Sequence, residues 1–207
     1  FFMSAVSAVN GASIAIFEKE EFANSSVKAL KQRLAQQIGV SRFRLRLLQD
    51  NCLLNDDQTL TLGVVQLVKV EFLPPDMEQD RDIMVACRSG DDKLLQQHLN
   101  QPRSPNFEDA NAKTPLFEAA SNGSLQCVLL LLEAGAEKDK GRTDIGATPL
   151  SIAAQNGHLE VVRFLVESGA NKDQGRTDIG ATALFIASAK GHLEVVRFLV
   201  ESGANKD

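Results

Sequence analysis

Long apolar runs are missing from this sequence: the longest, Cys127 to Leu132, is six residues, far short of the ~20 that a membrane-spanning helix needs. Cysteine is scarce. Its three copies, at positions 52, 87 and 127, are odd in number and widely spaced, so they make neither a disulfide framework nor a CxxC pair. That usage points to a reducing interior, cytoplasmic or nuclear. No basic residue precedes position 19 and no continuous apolar core follows the N-terminus, so a secretory signal is not supported, and Met3 suggests a start at the third residue. An excess of positive charge is absent as well. Residues 1–76 hold eight Lys/Arg against eight Asp/Glu and residues 77–207 hold 14 against 19, a net charge of -5. A nucleic-acid binder needs a basic footprint, and a membrane-surface protein a polybasic patch; neither is here. What remains is ordinary for a folded chain, 43% hydrophobic and 24% charged over 207 residues, room for one large domain or two small ones.

The C-terminal half repeats itself. Gly141 to Asp173 reads GRTDIGATPLSIAAQNGHLEVVRFLVESGANKD and Gly175 to Asp207 reads GRTDIGATALFIASAKGHLEVVRFLVESGANKD, identical at 28 of 33 positions with an offset of 34. A third copy precedes them, with Thr114-Pro115-Leu116 under Thr148-Pro149-Leu150 and Gly123 under Gly157, and a degenerate fourth sets Ala86 under Ala119 and Gly90 under Gly123. Within a unit, Thr148 predicts an N-cap and Pro149 a first helical position, since proline's missing N–H would be unpaired there anyway. The small Ala153 and Ala154 allow close helix packing before Asn156-Gly157 breaks the turn. A second helix is predicted over Leu159 to Glu167, its stripe Val161, Val162, Leu165 and Val166, with Gly169 in the left-handed position beyond it. A helix pair this short cannot bury its own stripe, so successive pairs must stack into one continuous core.

TPLxxAA, NGHLEVVRFLV and SGANKD together resemble the ankyrin repeat, over residues 80–207, with units near 80–113, 114–147, 148–181 and 182–207. Two departures stand out. The period of 34 gives each finger (Glu137 to Ala147, Asn171 to Ala181) one residue more than usual for the family, and the His usual after TPL is replaced by Phe117, Ser151 or Phe185. The last unit keeps an apolar outer stripe (Val195, Val196, Leu199, Val200) where a terminal repeat normally carries a polar cap; the expectation is an uncapped fragment of a longer array.

Residues 3–73 follow another pattern. Met3 to Val9 and Ser13 to Phe17 flank Asn10-Gly11, a hairpin signal. A helix is predicted over Val27 to Ile38, with Ser25 or Ser26 as cap, Val27, Leu30, Leu34 and Ile38 as stripe and Gly39 as stop. Arg42 to Leu47 and Leu67 to Phe72 alternate with period two, as strands do. That order, with VKALKQRLAQQIGV and the L-x-D-x-x-TL segment (Leu54, Asp56, Thr59, Leu60), resembles the ubiquitin-like β-grasp domain, ending in Leu73-Pro74-Pro75-Asp76 in place of a conjugating diglycine. Residues 74–79 read as a stiff Pro-rich linker. The fold class expected is therefore α+β: an N-terminal ubiquitin-like β-grasp domain followed by an all-α ankyrin solenoid of about four repeats.

No catalytic constellation emerges. There is no Ser-His-Asp or Cys-His order, and GRTDIG lacks the Lys-Ser/Thr continuation of a phosphate loop. Asp144 and Asp178 stand a whole repeat apart. His158 and His192 occupy one position in successive units, about 8–10 Å apart by helix packing, too far to share a zinc at ~2.0–2.1 Å. Cys127 falls on the second-helix stripe and reads as a small buried hydrophobe. No metal, cofactor, nucleic acid or membrane is expected. The five differences between the two near-identical units all lie in the first helix, which the ankyrin resemblance places on the concave surface. The expected partner site is therefore Glu118, Ser121, Ile152, Gln155, Ile186, Ala189 and Lys190 on those helices, with Arg142, Asp144, Arg176 and Asp178 at the finger tips. A second docking surface is expected at Arg42, Arg44, Arg46 and Leu48, one basic face of a strand. The expected function is a non-catalytic scaffold or adaptor binding other proteins; the alternatives are the N-terminal part of an enzyme, such as a ubiquitin ligase or kinase, with its catalytic domain beyond residue 207, or a ubiquitin-pathway shuttle.

Overall fold

The structure, a computed structural model, describes residues 4–9, 12–17, 26–49, 52–59, 65–69, 76–101 and 103–205. Asn10-Gly11, Leu60 and Pro74-Pro75 lie outside the described residues. The chain divides into two compact units, Phe1–Pro74 with Asn100–Arg103, and Pro75–Leu99 with Ser104–Asp207.

In the first unit, β1 (Ser4–Val9) and β2 (Ala12–Phe17) pair antiparallel, and the sheet continues through β5 (Val65–Lys69), β3 (Leu45–Gln49) and β4 (Cys52–Leu53) in the order β1-β2-β5-β3-β4. Leu47 lies opposite Leu67 in the β3–β5 ladder, both buried. Helix α1 (Val27–Ile38) packs its stripe there: Val27, Leu30 and Leu34 join Leu45, Leu47 and Leu67 in one core. Ser26 caps the helix by accepting the Ala29 N–H, and Gly39 ends it at φ 66°. Ile38, expected on the stripe, is instead 40% exposed. The segment after β4 is tied to the start of α1, where the Val27 and Lys28 N–H groups donate to the Gln58 and Asp56 carbonyls at 2.9 and 3.1 Å. Asp56 takes Lys31 at 2.6 Å and Arg42 at 2.9 Å, with all three side chains 12% exposed or less.

Arg42 overturns the basic-stripe reading. Residues Arg42–Arg44 form a 3-10 turn, begun where the Ser41 hydroxyl accepts the Phe43 N–H, and the strand starts only at Leu45. A turn does not alternate its side chains, so Arg42 swings inward to Asp56 while Arg44 and Arg46 stay half-buried. Arg46 donates to the Phe43 and Leu45 carbonyls, its own local backbone.

The second unit is helical. It stacks four helix pairs: α2 (Met77–Ser89) with α3 (Asp92–Leu99), α4 (Pro115–Asn122) with α5 (Leu125–Ala134), α6 (Pro149–Asn156) with α7 (Leu159–Glu167), and α8 (Ala183–Lys190) with α9 (Leu193–Glu201). Residues 77–79, expected as linker, are the first turn of α2, because Asp76 accepts the Glu78 N–H and caps a helix there. In the later pairs Thr114, Thr148 and Thr182 each cap the first helix by accepting the N–H three residues on. Val161, Val162 and Leu165 are completely buried against neighbouring pairs, each contributing about 1.5–3 kcal/mol. Val195 and Leu199 of the last pair are buried too, whereas Val196 and Val200 are half-exposed, so only half of the expected outer stripe is open.

The extra finger residue has a location. In the first finger the Asp109 N–H donates to the Lys113 carbonyl, four residues on; in the next two, Arg142 reaches Ala147 and Arg176 reaches Ala181, five residues on. All three loops put one residue in left-handed backbone at the same place: Gly146 (φ 65°), Gly180 (φ 67°) and, against its side chain's preference, Ala112 (φ 58°).

Candidate functional site

The first helices α2, α4, α6 and α8 pack side by side and form a continuous ridge with the fingers at one edge. Along it Ser121, Ile152 and Gln155 are half-buried, and Asn122, Asn156, Ala189 and Lys190 are exposed. These residues sit one unit apart on successive helices, so the ridge is a single surface assembled from several repeats. Its spacing is fixed by backbone bonds. The Asn156 side-chain amide donates to the Ser121 carbonyl at 2.8 Å, and His158 Nε2 lies 3.0 Å from the same oxygen. One unit on, His192 Nε2 lies 2.9 Å from the Gln155 carbonyl. A carbonyl only accepts, so Nε2 must carry the ring proton in both histidines. The histidines are thus ties between repeats.

Two expected site residues are not available on this surface. Glu118 is 7% exposed because Arg88, from the preceding unit, donates to it at 2.6 Å and Lys113 from its own finger approaches to 3.1 Å. The Glu118 bond holds the Arg88 guanidinium above its ordinary value, and Arg88 also reaches Asp109 at 3.0 Å. Burial would raise the Asp109 carboxyl, but the Lys113 and Asn111 N–H groups that donate to it outweigh burial and hold it below the ordinary carboxylate range. Ile186 is 7% exposed, packed into the array instead of facing outward in register with Ile152.

The four expected finger-tip residues are on the surface, but paired with each other. Arg142 grips Asp144 through two nitrogens at 3.0 and 2.5 Å, and Arg176 grips Asp178 at 3.0 and 2.6 Å. These bonds from the guanidinium hold both carboxyls below their ordinary values. The fingers are joined as well: the Thr177 N–H donates to the Ile145 carbonyl at 3.0 Å.

Sequence reasoning named the outer stripe of the last unit but passed over Ile179 and Phe185 beside it. Phe185 is 64% exposed and Ile179 65%, and with Leu184, Val196 and Val200 they line a groove of about 450 Å³. The signal was in hand, since Ser151/Phe185 is one of the five differences between the near-identical units. In the first unit, the residues expected for secondary docking do not make one face: Arg42 is buried, Arg46 is bonded to the Phe43 and Leu45 carbonyls, and Leu48 is half-buried in β3.

Among the described residues no three of His, Cys, Asp and Glu gather as metal ligands, and no helix is long and apolar enough to cross a membrane. Cys87 and Cys127 carry free, buried thiols; burial pushes both up, and at Cys127 it outweighs a lowering bond from Ser124.

Comparison with known proteins matches the helical unit. A family model described as ankyrin repeats (3 copies) covers residues 83–176 and again 143–207. That match begins at residue 83 and does not reach residues 3–73. Potassium channel AKT1 of Arabidopsis thaliana is 47% identical over 57 residues, 28% of this chain and 7% of the channel. The chain therefore spans a small part of that relative's length.

Proposed function

The chain belongs to the ankyrin-repeat family, and from that premise we propose that it is a non-catalytic interaction scaffold whose partner is another protein, held on the ridge of first helices. The observation that supports this is the ridge itself: exposed and half-buried side chains (Ser121, Ile152, Gln155, Asn156, Ala189, Lys190) in register on successive helices, set on a frame fixed by the His158 and His192 ties. A rigid frame carrying variable side chains binds at low entropic cost, because little has to be ordered on contact. Glu118 and Ile186 belong to the frame in this reading. The Arg–Asp pairs of the fingers set loop shape, and Thr143 and Thr177 beside them are the exposed tips. For residues 3–73 the reading is a ubiquitin-like module. It is supported by the helix packed on β3 and β5 and by the Leu54–Thr59 segment anchored at the start of that helix. Such a module would add a second weak contact, raising avidity through effective concentration. The compartment proposed is cytoplasm or nucleus.

The test is partner recovery on immobilised chain, compared between the natural sequence and Gln155→Ala combined with Lys190→Glu. Neither side chain is buried, so the array should keep its thermal stability. Loss of specific partners at unchanged melting temperature is the expected outcome. An identical partner set would refute the ridge as the binding face.

A further inference from the structure

The first helices of the four units end at equivalent positions in Ser89-Gly90, Asn122-Gly123, Asn156-Gly157 and Lys190-Gly191. Two of these are Asn-Gly, the pair in which a side-chain amide faces the least obstructed backbone nitrogen, because glycine carries no Cβ. Both asparagines are the last residue of a helix and are exposed on the ridge, and both glycines hold left-handed backbone, φ 72° at Gly123 and 76° at Gly157. The local backbone bonds are alike too. The Gly123 N–H donates to the Ala120 carbonyl at 3.2 Å and the Gly157 N–H to the Ala154 carbonyl at 3.3 Å, at the long end for such bonds.

The two side chains differ. Asn156 is held, since its amide donates to the Ser121 carbonyl at 2.8 Å and lies 3.4 Å from the Ser121 hydroxyl. The Asn122 amide has no hydrogen-bond partner among the described residues. It stands beside Gly90, where an added Cβ would lie 3.1 Å from its nitrogen. Asn122 therefore turns its amide carbon toward the Gly123 nitrogen at the cost of unwinding one residue at the helix end. Asn156 must also give up a bond to the preceding unit, and Lys190 has no amide to offer.

We propose that Asn122 is a self-modifying site, where the ridge converts its own amide to a carboxylate with water as the reactant. The Gly123 nitrogen, giving up its proton, bonds to the Asn122 side-chain carbon. The bond from that carbon to the amide nitrogen breaks, ammonia leaves with the proton, and a succinimide ring closes. Water then opens the ring at either carbonyl, to aspartate or to isoaspartate. Aspartate puts a negative charge on the C-terminal end of α4, where the last carbonyls already carry partial negative charge. Isoaspartate adds a methylene to the main chain just before Gly123. The Gly123 and Ser124 N–H groups, now bonded to the Ala120 and Ala119 carbonyls at 3.2 and 3.1 Å, cannot then both keep those bonds. Gly123 also lies against the His158 ring, where an added Cβ would meet Nδ1 at 2.5 Å, so a shift there disturbs the tie from His158 Nε2 to the Ser121 carbonyl. Conversion thus loosens the junction between the second and third units as the chain ages. Nothing in this uses the partner-binding reading, so each stands or falls alone.

The experiment keeps the full chain at neutral pH and samples it over time, one series native and one unfolded in urea. Peptide mapping by mass spectrometry reads the change from amide to acid, and the isoaspartate share, at each asparagine. In the native series Asn122 should convert about two- to tenfold faster than Asn156, the protection that one hydrogen bond gives. In urea the two rates should agree, since glycine follows both. Equal native rates would overturn the proposal, and so would a native chain that leaves Asn122 intact while the urea series converts. Amide exchange over residues 125–134 and 159–167 then reads the junction, and about tenfold faster exchange is expected in converted chains. Asn122→Gln keeps an amide but closes no five-membered ring, so its exchange should not change with age. The same acceleration in aged Asn122→Gln, or none in converted chains, would overturn the link to the junction.

Discussion

Adding a single methyl group should have different consequences at two positions with the same local structure. Gly157 and Gly191 both end a first helix at φ 76°, and both are followed by His-Leu-Glu-Val-Val. Alanine at either one strains left-handed backbone by about 1–2 kcal/mol. A less flexible unfolded chain offsets this by about 0.4–1 kcal/mol, leaving about 1 kcal/mol at each. At Gly191 nothing further is in the way. At Gly157 the new methyl lies 2.6 Å from His192 Nδ1 and 2.8 Å from Cε1, and the ring cannot retreat without leaving the Gln155 carbonyl at 2.9 Å. Overpacking costs about 1–3 kcal/mol and the lost hydrogen bond about 0.5–1.5 kcal/mol. Gly157→Ala should therefore destabilise by about 3 kcal/mol and Gly191→Ala by about 1 kcal/mol. Urea unfolding at constant slope measures both. Combining Gly157→Ala with His192→Ala removes the obstructing ring, so the double variant should be more stable than the sum of the two single effects. Equal effects at the two glycines, or a strictly additive double variant, would refute the ring-on-glycine account of the junction.

Ala112→Gly removes positive-φ strain in the first finger and should stabilise by up to about 1 kcal/mol, read as a rise in urea midpoint. Asp56→Ala leaves Arg42 and Lys31 buried without their carboxylate; loss of about 3 kcal/mol from the first unit is expected, with exchange in α1 accelerated and exchange in α6 unchanged. The Asp109 carboxyl is depressed in the folded chain, so its contribution is complete above the unfolded carboxylate pKa and lost as pH falls through the lower folded value. In the Asp109→Asn variant that part of the acid loss, measured by urea unfolding from neutral to acid pH, should disappear. Residues 183–201 should exchange faster than residues 149–167, since the last unit is packed on one side only.

Local chemistry was legible and distant pairing was not. The bounds of α6 and α7 follow from Thr148-Pro149, Asn156-Gly157 and Gly169, residues whose preferences act within a turn of themselves. Val27 to Ile38 followed from the same kind of signal. Arg42 was misread because its alternation with Phe43 imitates a strand, while the carboxylate that draws it inward lies 14 residues away. Glu118 was misread for the same reason, its partner Arg88 being 30 residues back. Ile152 and Ile186 hold the same repeat position and differ in exposure, and the position alone, which is all that the repeat pattern supplies, does not separate them. In the fingers Asp144 and Asp178 are exposed and Arg142 and Arg176 half-buried, because an Arg and an Asp two residues apart satisfy each other before any partner arrives.

The two buried thiols give the array an internal clock. Cys87 sits in α2 and Cys127 in α5, both without solvent exposure and both pushed up by burial. A thiol reagent attacks the thiolate; neither sulfur is exposed while its helix pair is closed, and burial disfavours the thiolate at both. With Cys52 replaced by serine, the rate of labelling at each position becomes the opening rate of that pair, or its opening equilibrium where reclosing outruns the reagent. The two sulfurs would then report, pair by pair, how long the N-terminal end of the solenoid stays shut.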